Sequence, residues 1–181
     1  MRHSGSSPAQ VSPPIDVGSP RDKSMDYNSI LPKLWIGSCP HSREEIDRLL
    51  QESRAGAILS LVTDQDIDRL SLRWSELEDH CARRGIDLIR EPVMDGDSAD
   101  LRNRLPDCVR LLDRLLVGGQ GVYLHCVAGI ERAPSVAVAY LHWCLGYRLE
   151  KAAEYVKSRR GCSPDLDAIR TATRDRSRRY V

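Results

Sequence analysis

No phenylalanine occurs among the 181 residues of this chain, and the aromatic residues together supply only 5% of the sequence. Flat rings provide much of the contact area in grooves that bind polysaccharides, so this composition speaks against a long groove of that kind. Long apolar runs are missing too. None is long enough to cross a membrane, and we find no signal peptide. We therefore expect no membrane association and a cytoplasmic location.

An excess of charge of one sign is also absent. The chain has 27 Lys and Arg residues against 26 Asp and Glu residues, which leaves a net charge of +1. This balance gives no reason to expect a nucleic acid partner. Arginines near the C-terminus could touch phosphate or RNA, but a solvated helical face explains them better. They are Arg170, Arg174, Arg176, Arg178 and Arg179.

The six cysteines lack the paired spacing of a zinc site. We predict no metal and no cofactor. Without a secretion signal the thiols are expected to be reduced rather than joined in disulfides. Five of them are expected to be packing residues: Cys39, Cys81, Cys108, Cys144 and Cys162.

Short apolar runs alternate with amphipathic stretches along most of the chain. The runs predict strands at residues 33–36, 57–62, 86–90 and 122–125, and the amphipathic stretches predict helices at residues 43–52, 73–84, 99–116, 132–145, 149–159 and 164–174. This alternation is typical of an α/β fold with a central, mainly parallel sheet of about four or five strands flanked by helices. No internal repeat interrupts it.

The N-terminal residues have a different composition. Residues 1–24 are rich in Ser, Pro and Gly and have little apolar surface to bury, which predicts a disordered tail. Residues 25–181 are long enough, and the chain apolar enough at 41%, to form one domain around one core. The sequence therefore predicts a tail at 1–24 and a single domain at 25–181.

The segment from His125 to Arg132 joins a predicted buried strand to a predicted apolar helix. A strand, a turn and a helix N-terminus bring unpaired backbone N–H groups and the positive end of the helix dipole to one small volume. Arg132 begins the helix, where its planar guanidinium can hold two oxygens of a phosphoryl group. Gly129 gives the turn the conformational freedom that a tight loop needs. The pattern indicates a binding site for phosphate.

Cys126 lies at the centre of this predicted site. A helix N-terminus and a nearby cation both stabilise a thiolate, which is a nucleophile at neutral pH. A buried apolar cysteine is the alternative, because that is what most intracellular cysteines are. The combination of strand, turn, arginine and helix favours the nucleophile.

Cleavage of a phosphate ester also needs an acid that protonates the leaving group. Asp95, Asp97 and Asp100 lie in a polar loop after the predicted strand at 86–90. Each of them could instead be a turn or helix-cap residue, since aspartate favours both positions.

The order His125-Cys126, five residues, Arg132 resembles the signature of cysteine-dependent phosphatases, and more narrowly of their dual-specificity class. Further segments are similar to the plant starch-excess type of glucan phosphatase and its bacterial relatives. They are residues 27–38, 95–97, 100–102, 104–106, 160–164, 167–170 and 172–173. The resemblance covers about residues 26 to 178, as a catalytic domain alone, and implies the cysteine-phosphatase fold.

The resemblance implies a role for each residue of the motif. Cys126 matches the nucleophile that forms a phosphocysteine intermediate, and His125 matches the residue that supports it. Asp95 matches the general acid, with Asp97 as the substitute. The phosphate-binding loop comprises Val127, Ala128, Gly129, Ile130, Glu131 and Arg132.

Three positions depart from the common pattern of this family. Ala133 lacks the hydroxyl that usually helps the thiolate leave, although the glucan-directed branch shares Arg-Ala-Pro here; slower breakdown of the intermediate is implied. Glu131 replaces a glycine of that branch, and we expect its carboxylate to face solvent or to pair with an arginine. Gly96 stands where the glucan enzymes have an aromatic residue.

The activity that the resemblance implies first is that of a dual-specificity protein phosphatase acting on phosphotyrosine, phosphoserine and phosphothreonine. Its partner is then a phosphorylated protein, and we expect a monomer. A phosphoglucan phosphatase is the first alternative. More distant alternatives are a rhodanese-type sulfurtransferase and a pseudophosphatase that binds phosphorylated ligands without turnover.

Overall fold

This computed structural model describes residues 25–179, with side chains as far as Arg176. The tail predicted at residues 1–24 lies outside this range, so the tail and the domain boundary at residue 25 stay predictions. Twelve elements follow one another along the described part of the chain.

The described strands form one five-stranded sheet in the order β1-β2-β5-β3-β4. They are β1 (Tyr27–Leu31), β2 (Leu34–Gly37), β3 (Ala57–Ser60), β4 (Asp87–Arg90) and β5 (Val122–His125). Only β1 runs antiparallel to its neighbour, and the other three pairings are parallel. The prediction of a mainly parallel sheet in an α/β fold is confirmed. β1 was not among the predicted strands.

Seven helices occur in the described residues. They are α1 (Arg43–Ser53), α2 (Asp64–Arg69), α3 (Trp74–Arg83), α4 (Ser98–Val117), α5 (Arg132–Trp143), α6 (Leu149–Lys157) and α7 (Leu166–Arg179). Six correspond to predicted helices, with ends that differ by up to five residues. α2 was not predicted, since six residues are too few to show a clear helical period.

The two faces of the sheet bury separate apolar clusters. Successive side chains of a strand point to opposite faces, and in β5 this places Val122 and Leu124 in the larger cluster and Tyr123 in the smaller one. Helices α4 to α7 cover the larger cluster, while α1 and α3 cover the smaller one. α5 is buried from Arg132 to Leu141, because it lies between the sheet and the neighbouring helices.

The register of the three central strands positions the predicted phosphate loop. His125, the last residue of β5, is level with Gly37 at the end of β2 and with Ser60 at the end of β3. The chain therefore leaves three parallel strands at one edge of the sheet, where ligands of α/β proteins usually bind. Cys126 follows directly at the middle of that edge. No helix in the described residues is long and apolar enough to cross a membrane.

Candidate active site

The loop from Cys126 to Glu131 joins β5 to α5 and is fixed by its neighbours on both sides. Cys39 donates its backbone N–H to the carbonyl of Val127 at 2.9 Å, and Ser163 donates to the carbonyl of Ile130 at 2.8 Å. Cys126 is 3% exposed. The thiol therefore lies at the bottom of the loop rather than on the surface.

All six carbonyls of this loop accept hydrogen bonds from groups outside its concave side. The acceptors are the carbonyls of Cys126, Val127, Ala128, Gly129, Ile130 and Glu131. Within the described residues, none of the N–H groups of residues 127–131 donates to a protein acceptor. Carbonyls directed outward and free N–H groups directed together form a backbone nest for an anion. The backbone of this loop thus offers unpaired donors at the predicted phosphate site.

Arg160 is the main external support of the loop. Its Nε donates to the carbonyl of Gly129 at 2.7 Å, and its Nη2 donates to that of Ala128 at 3.0 Å. On its other side the guanidinium contacts Asn28 Oδ1 at 2.9 Å and Asp26 Oδ2 at 3.2 Å. A buried charge of this kind needs such partners. Arg160 ties the loop to the start of β1.

Gly129 is the one residue of the loop in the left-handed region, with φ of 67°. A Cβ atom there would lie 2.4 Å from the carbonyl oxygen of Gly37 and 2.9 Å from Nη2 of Arg160. Both the backbone conformation and the available space therefore require glycine.

The guanidinium of Arg132 forms its hydrogen bonds through Nη1. Nη1 contacts Asp66 Oδ2 at 2.7 Å and the carbonyl of Val93 at 2.8 Å. Nε and Nη2 are buried and form no hydrogen bond within the described residues, although Nη2 lies 2.9 Å from Asp95 Oδ1. Nε and Nη2 together make the side-on fork that binds two oxygens of an oxyanion.

Charge and burial act on both members of the Arg132–Asp66 pair. Burial alone would lower the pKa of Arg132, but the hydrogen bond to Asp66 and the nearby Cys126 sulfur and carboxylates raise it overall. For Asp66, burial opposes ionisation, yet hydrogen bonds from Arg132 and Thr63 lower its pKa below the ordinary value. The two groups are therefore a charged pair at neutral pH.

The three aspartates of the predicted acid loop have different contacts. Asp95 is 51% exposed, and its carboxylate lies beside Arg132. Asp97 instead caps α4, because its Oδ1 accepts from the N–H groups of Ala99 and Asp100 at 2.9 Å each. Asp100 Oδ2 accepts from the N–H of Met94 at 2.7 Å. Only Asp95 faces the phosphate site, which supports it over Asp97 as the acid.

His125 is buried behind the loop. Its Nδ1 lies 3.0 Å from the carbonyl of Cys126; a carbonyl can only accept, so Nδ1 carries the proton. Burial lowers the pKa of His125 to about 4. The ring stacks on Tyr123 with centroids 5.7 Å apart. These contacts fit the predicted supporting role of a neutral imidazole that fixes the loop.

Two of the positions that depart from the family pattern, Glu131 and Ala133, lie on either side of Arg132 at the start of α5. The Glu131 side chain is half-buried, and among the described residues its carboxylate forms no ion pair, so of the two expected arrangements the arginine pair is not found. Ala133 is fully buried. The nearest hydroxyl along α5, that of Ser135, donates to the carbonyl of Glu131 at 2.7 Å and accepts from the N–H of Asp165 at 2.8 Å.

All six cysteines are free thiols. Cys39, Cys81 and Cys108 are buried, as expected of packing residues, and burial raises the pKa of Cys39 to about 12 and that of Cys81 to about 11. Cys144 is exposed and so is not the buried packing residue that we expected. It follows α5, where the chain turns away from the core.

Two charged residues of the site were not identified from the sequence. Asp66 was missed because α2 was missed, although Thr63-x-x-Asp66 is a capping-box pattern that could have revealed a helix start. Arg160 belongs to a segment noted only for its resemblance. No local pattern indicates that it contacts a loop more than 30 residues earlier in the chain.

The fold and this loop define a class of protein. A family model described as "Dual specificity phosphatase, catalytic domain" matches residues 49–171, and the chain belongs to this family. The solved structure of PTPMT1 has the same fold, with a TM-score of 0.68 at 20% identity, over 85% of this chain and 98% of that one.

Curated relatives are more similar in sequence. The chain is 34% identical to the phosphoglucan phosphatase LSF1 of Arabidopsis thaliana, 35% to the phosphoglucan phosphatase DSP4 of Castanea sativa, and 30% to dual specificity protein phosphatase 5 of Rattus norvegicus. These matches cover 83%, 83% and 82% of the chain but only 25%, 40% and 33% of the relatives. The chain thus spans less than half the length of each.

Proposed function

We propose that this protein is a cysteine-dependent phosphatase that hydrolyses phosphate monoesters through a phosphocysteine intermediate. One observation carries the proposal. The free N–H groups of residues 127–131 and the Nε and Nη2 of Arg132, whose one contact is the ion pair of Nη2 with the exposed Asp95, belong to a single loop around the Cys126 thiol. Donors already in place stabilise the charge on the equatorial oxygens of a transferring phosphoryl group.

The proposed reaction has two steps. The Cys126 thiolate attacks phosphorus in line, the P–S bond forms, and the P–O bond to the leaving group breaks. Asp95 donates its proton to the leaving oxygen. As a carboxylate it then removes a proton from the attacking water, which releases inorganic phosphate and restores the thiolate. Because Ala133 has no hydroxyl and that of Ser135 is engaged, breakdown of the intermediate is slower than in enzymes with a hydroxyl next to the arginine.

The preferred substrate in this proposal is a phosphorylated protein. Met94 and Ile130, on the acid loop and the phosphate loop, are 39% and 49% exposed and give the site an apolar rim. Such a rim suits the side chains of a peptide. Gly96 offers no ring on the acid loop, and a Cβ there would meet only open space. Ring stacking on a glucan therefore lacks its partner at this position.

A phosphoglucan is the second candidate. It is favoured by the names of LSF1 and DSP4, which are more similar to this chain than the protein phosphatase is. Because the identity is partial and covers only part of each relative, an assay is needed to choose between a phosphoprotein and a phosphoglucan substrate.

The deciding experiment measures phosphate release from solubilised amylopectin and from phosphotyrosine, phosphoserine and phosphothreonine peptides at matched ester concentrations. Cys126→Ser is the blank for contaminating activity. We expect higher kcat/KM on the peptides. A strong preference for amylopectin would make the glucan the substrate, and release from neither would favour the pseudophosphatase.

Rapid acid quench followed by mass spectrometry tests the intermediate. With a slow second step, we expect phosphate covalently bound to Cys126 during turnover. Thiocyanate formation from thiosulfate and cyanide, with no phosphate release from any ester, would instead identify a sulfurtransferase.

The remaining predictions form part of the same proposal. We infer a cytoplasmic protein, since six free thiols suit a reducing compartment, although the names of LSF1 and DSP4 give plastid locations. We also infer that it acts without a cofactor, metal or nucleic acid partner, and as a monomer.

A further inference from the structure

A closed ring of four alternating charges includes Arg132 of the proposed phosphate site. Asp66 contacts Arg69 Nη2 at 2.7 Å and Arg132 Nη1 at 2.7 Å. Asp95 contacts Arg132 Nη2 at 2.9 Å and Arg69 Nη2 at 3.7 Å. Three of these residues lie at the protein surface or bind the phosphate. Asp66, at 3% exposure, is the buried acidic member.

The Asp66 carboxylate is fully engaged. Oδ2 accepts from the N–H and hydroxyl of Thr63 at 3.1 Å each, in addition to Arg132. Oδ1 accepts from Arg69. These contacts fix the rotation of the carboxylate, because Thr63 caps α2 and Asp66 completes the capping box. The capping box at the first turn of α2 therefore holds the Asp66 carboxylate in one orientation.

The orientation of the Asp66 carboxylate determines which edge of the Arg132 guanidinium is available to bind an oxyanion. Nη1 has two hydrogens, and its contacts with Asp66 and with the Val93 carbonyl use both. With Nη1 held in this direction, the planar guanidinium can only turn Nε and Nη2 toward the concave side of the loop. Without Asp66, Nη1 would keep only the carbonyls of Val93 at 2.8 Å and Leu61 at 3.5 Å, and the remaining charged partner would be the exposed Asp95 on Nη2. The side chain would then be held less strictly in one rotamer.

We propose that Asp66 is a positioning residue for the phosphate-binding arginine. It holds Nη1 so that the Nε and Nη2 fork meets two oxygens of the phosphoryl group. The proposal rests on the function proposed above and adds a residue to it. Asp66 does not touch the substrate; it acts through Arg132.

The test uses Asp66→Asn and Asp66→Ala in the full chain. Asparagine keeps an acceptor for Nη1 but removes the charge, whereas alanine removes both. We expect kcat on a small aryl phosphate to fall roughly 10-fold for Asn and roughly 100-fold for Ala, since misplacing a catalytic group by about 1 Å costs on the order of 10²-fold. The inhibition constant of inorganic phosphate should rise in the same order.

Two controls separate positioning from folding. Asp68→Asn removes an exposed carboxylate from the same helix and should leave kcat unchanged. Ser42→Ala removes the N-cap of α1, which accepts from Glu45 N–H at 3.3 Å, so it should lower the melting temperature without affecting phosphate inhibition.

Phosphate protection of Cys126 against alkylation provides a readout that needs no turnover. Weaker protection in both Asp66 variants supports the proposal. The proposal would be overturned if the wild type were active and both Asp66 variants had the same kcat and the same phosphate protection of Cys126 as the wild type. Equal losses in Asp66→Ala and Ser42→Ala would also overturn it. An inactive wild type would instead contradict the proposed phosphatase function itself.

Discussion

At the scale of single residues, the proposed roles of Cys126 in turnover and of the surrounding N–H groups and Arg132 in phosphate binding can be separated by mutation. Cys126→Ser replaces the sulfur with a hydroxyl oxygen, which is a far weaker nucleophile at neutral pH, while the N–H groups and Arg132 remain in place. We expect turnover to be lost and binding of inorganic phosphate to be retained within a few-fold. Calorimetric titration with phosphate measures this directly. Loss of binding together with turnover would mean that the sulfur is needed to shape the loop.

Asp95 and Asp97 are two residues apart and have different predicted effects. Asp95→Ala should lower kcat by roughly 10²–10⁴-fold, the usual contribution of a positioned proton donor, and should allow substrate to be trapped. Phosphopeptides with leaving groups of different basicity provide the measurement, and the loss should be smallest for the best leaving group.

Asp97→Ala is the matched variant. It removes the cap of α4 and should lower the free energy of unfolding by about 1 kcal/mol with little change in kcat. Denaturant titration measures the stability. If Asp97→Ala reduced kcat and Asp95→Ala did not, the acid would have to be assigned two residues further along.

At the scale of elements, the connection between α6 and α7 supports the phosphate loop through Arg160. Arg160→Ala leaves the carbonyls of Ala128 and Gly129 without their donor and removes the partner of Asp26. We expect a lower melting temperature and weaker phosphate inhibition, because the loop loses the contacts that turn its carbonyls outward.

Arg159→Ala is the control for this change. Arg159 is exposed, and its Cζ lies 3.6 Å from the centroid of the Tyr155 ring rather than at the phosphate loop. Its loss should therefore leave inhibition by phosphate as in the wild type. Equal behaviour of the two variants would show that Arg160 supports only the general stability of the fold.

The elements also show how far the sequence could be interpreted. Long amphipathic helices such as α4 and apolar strands such as β5 have strong periodic patterns, and both were predicted nearly as observed. β1 is a half-buried edge strand with mixed residues, and α2 is only six residues long, so neither shows a period. Their omission hid Asp66 and the contacts of Asp26 and Asn28 with Arg160.

At the scale of the whole molecule, His125 links stability to pH. Its folded pKa of about 4 lies below the ordinary value of 6.5, because burial disfavours the charged ring. The unfolded chain therefore binds a proton that the native state does not bind as pH falls from 6.5 to about 4. Stability must decrease over this window, by on the order of 3 kcal/mol in total.

Denaturant unfolding of the wild type and His125→Asn between pH 7 and pH 4.5 tests this linkage. The variant should be less stable at pH 7 because packing changes, but its stability should depend less on pH within this window. Asp66, whose pKa is lowered from 3.8, adds its effect only at more acidic pH. Parallel pH dependence in the two proteins would contradict the assignment.

The sequence by itself determined the parts of the site that are contiguous in the chain. A buried strand, Cys126, a glycine turn and Arg132 at a helix start follow one another within a dozen residues, so local geometry alone brings the thiol, the N–H groups and the helix terminus together. Their order also resembles the signature of the family to which the chain belongs.

The tertiary structure decided the parts that are distant in the chain. Asp66 and Asp95 lie 66 and 37 positions before Arg132, and Arg160 lies 28 positions after it. They meet only because three parallel strands end at one edge of the sheet and because the segment after α6 returns to the loop. A buried charge reveals its partner through burial and distance, which no local pattern in a single sequence records.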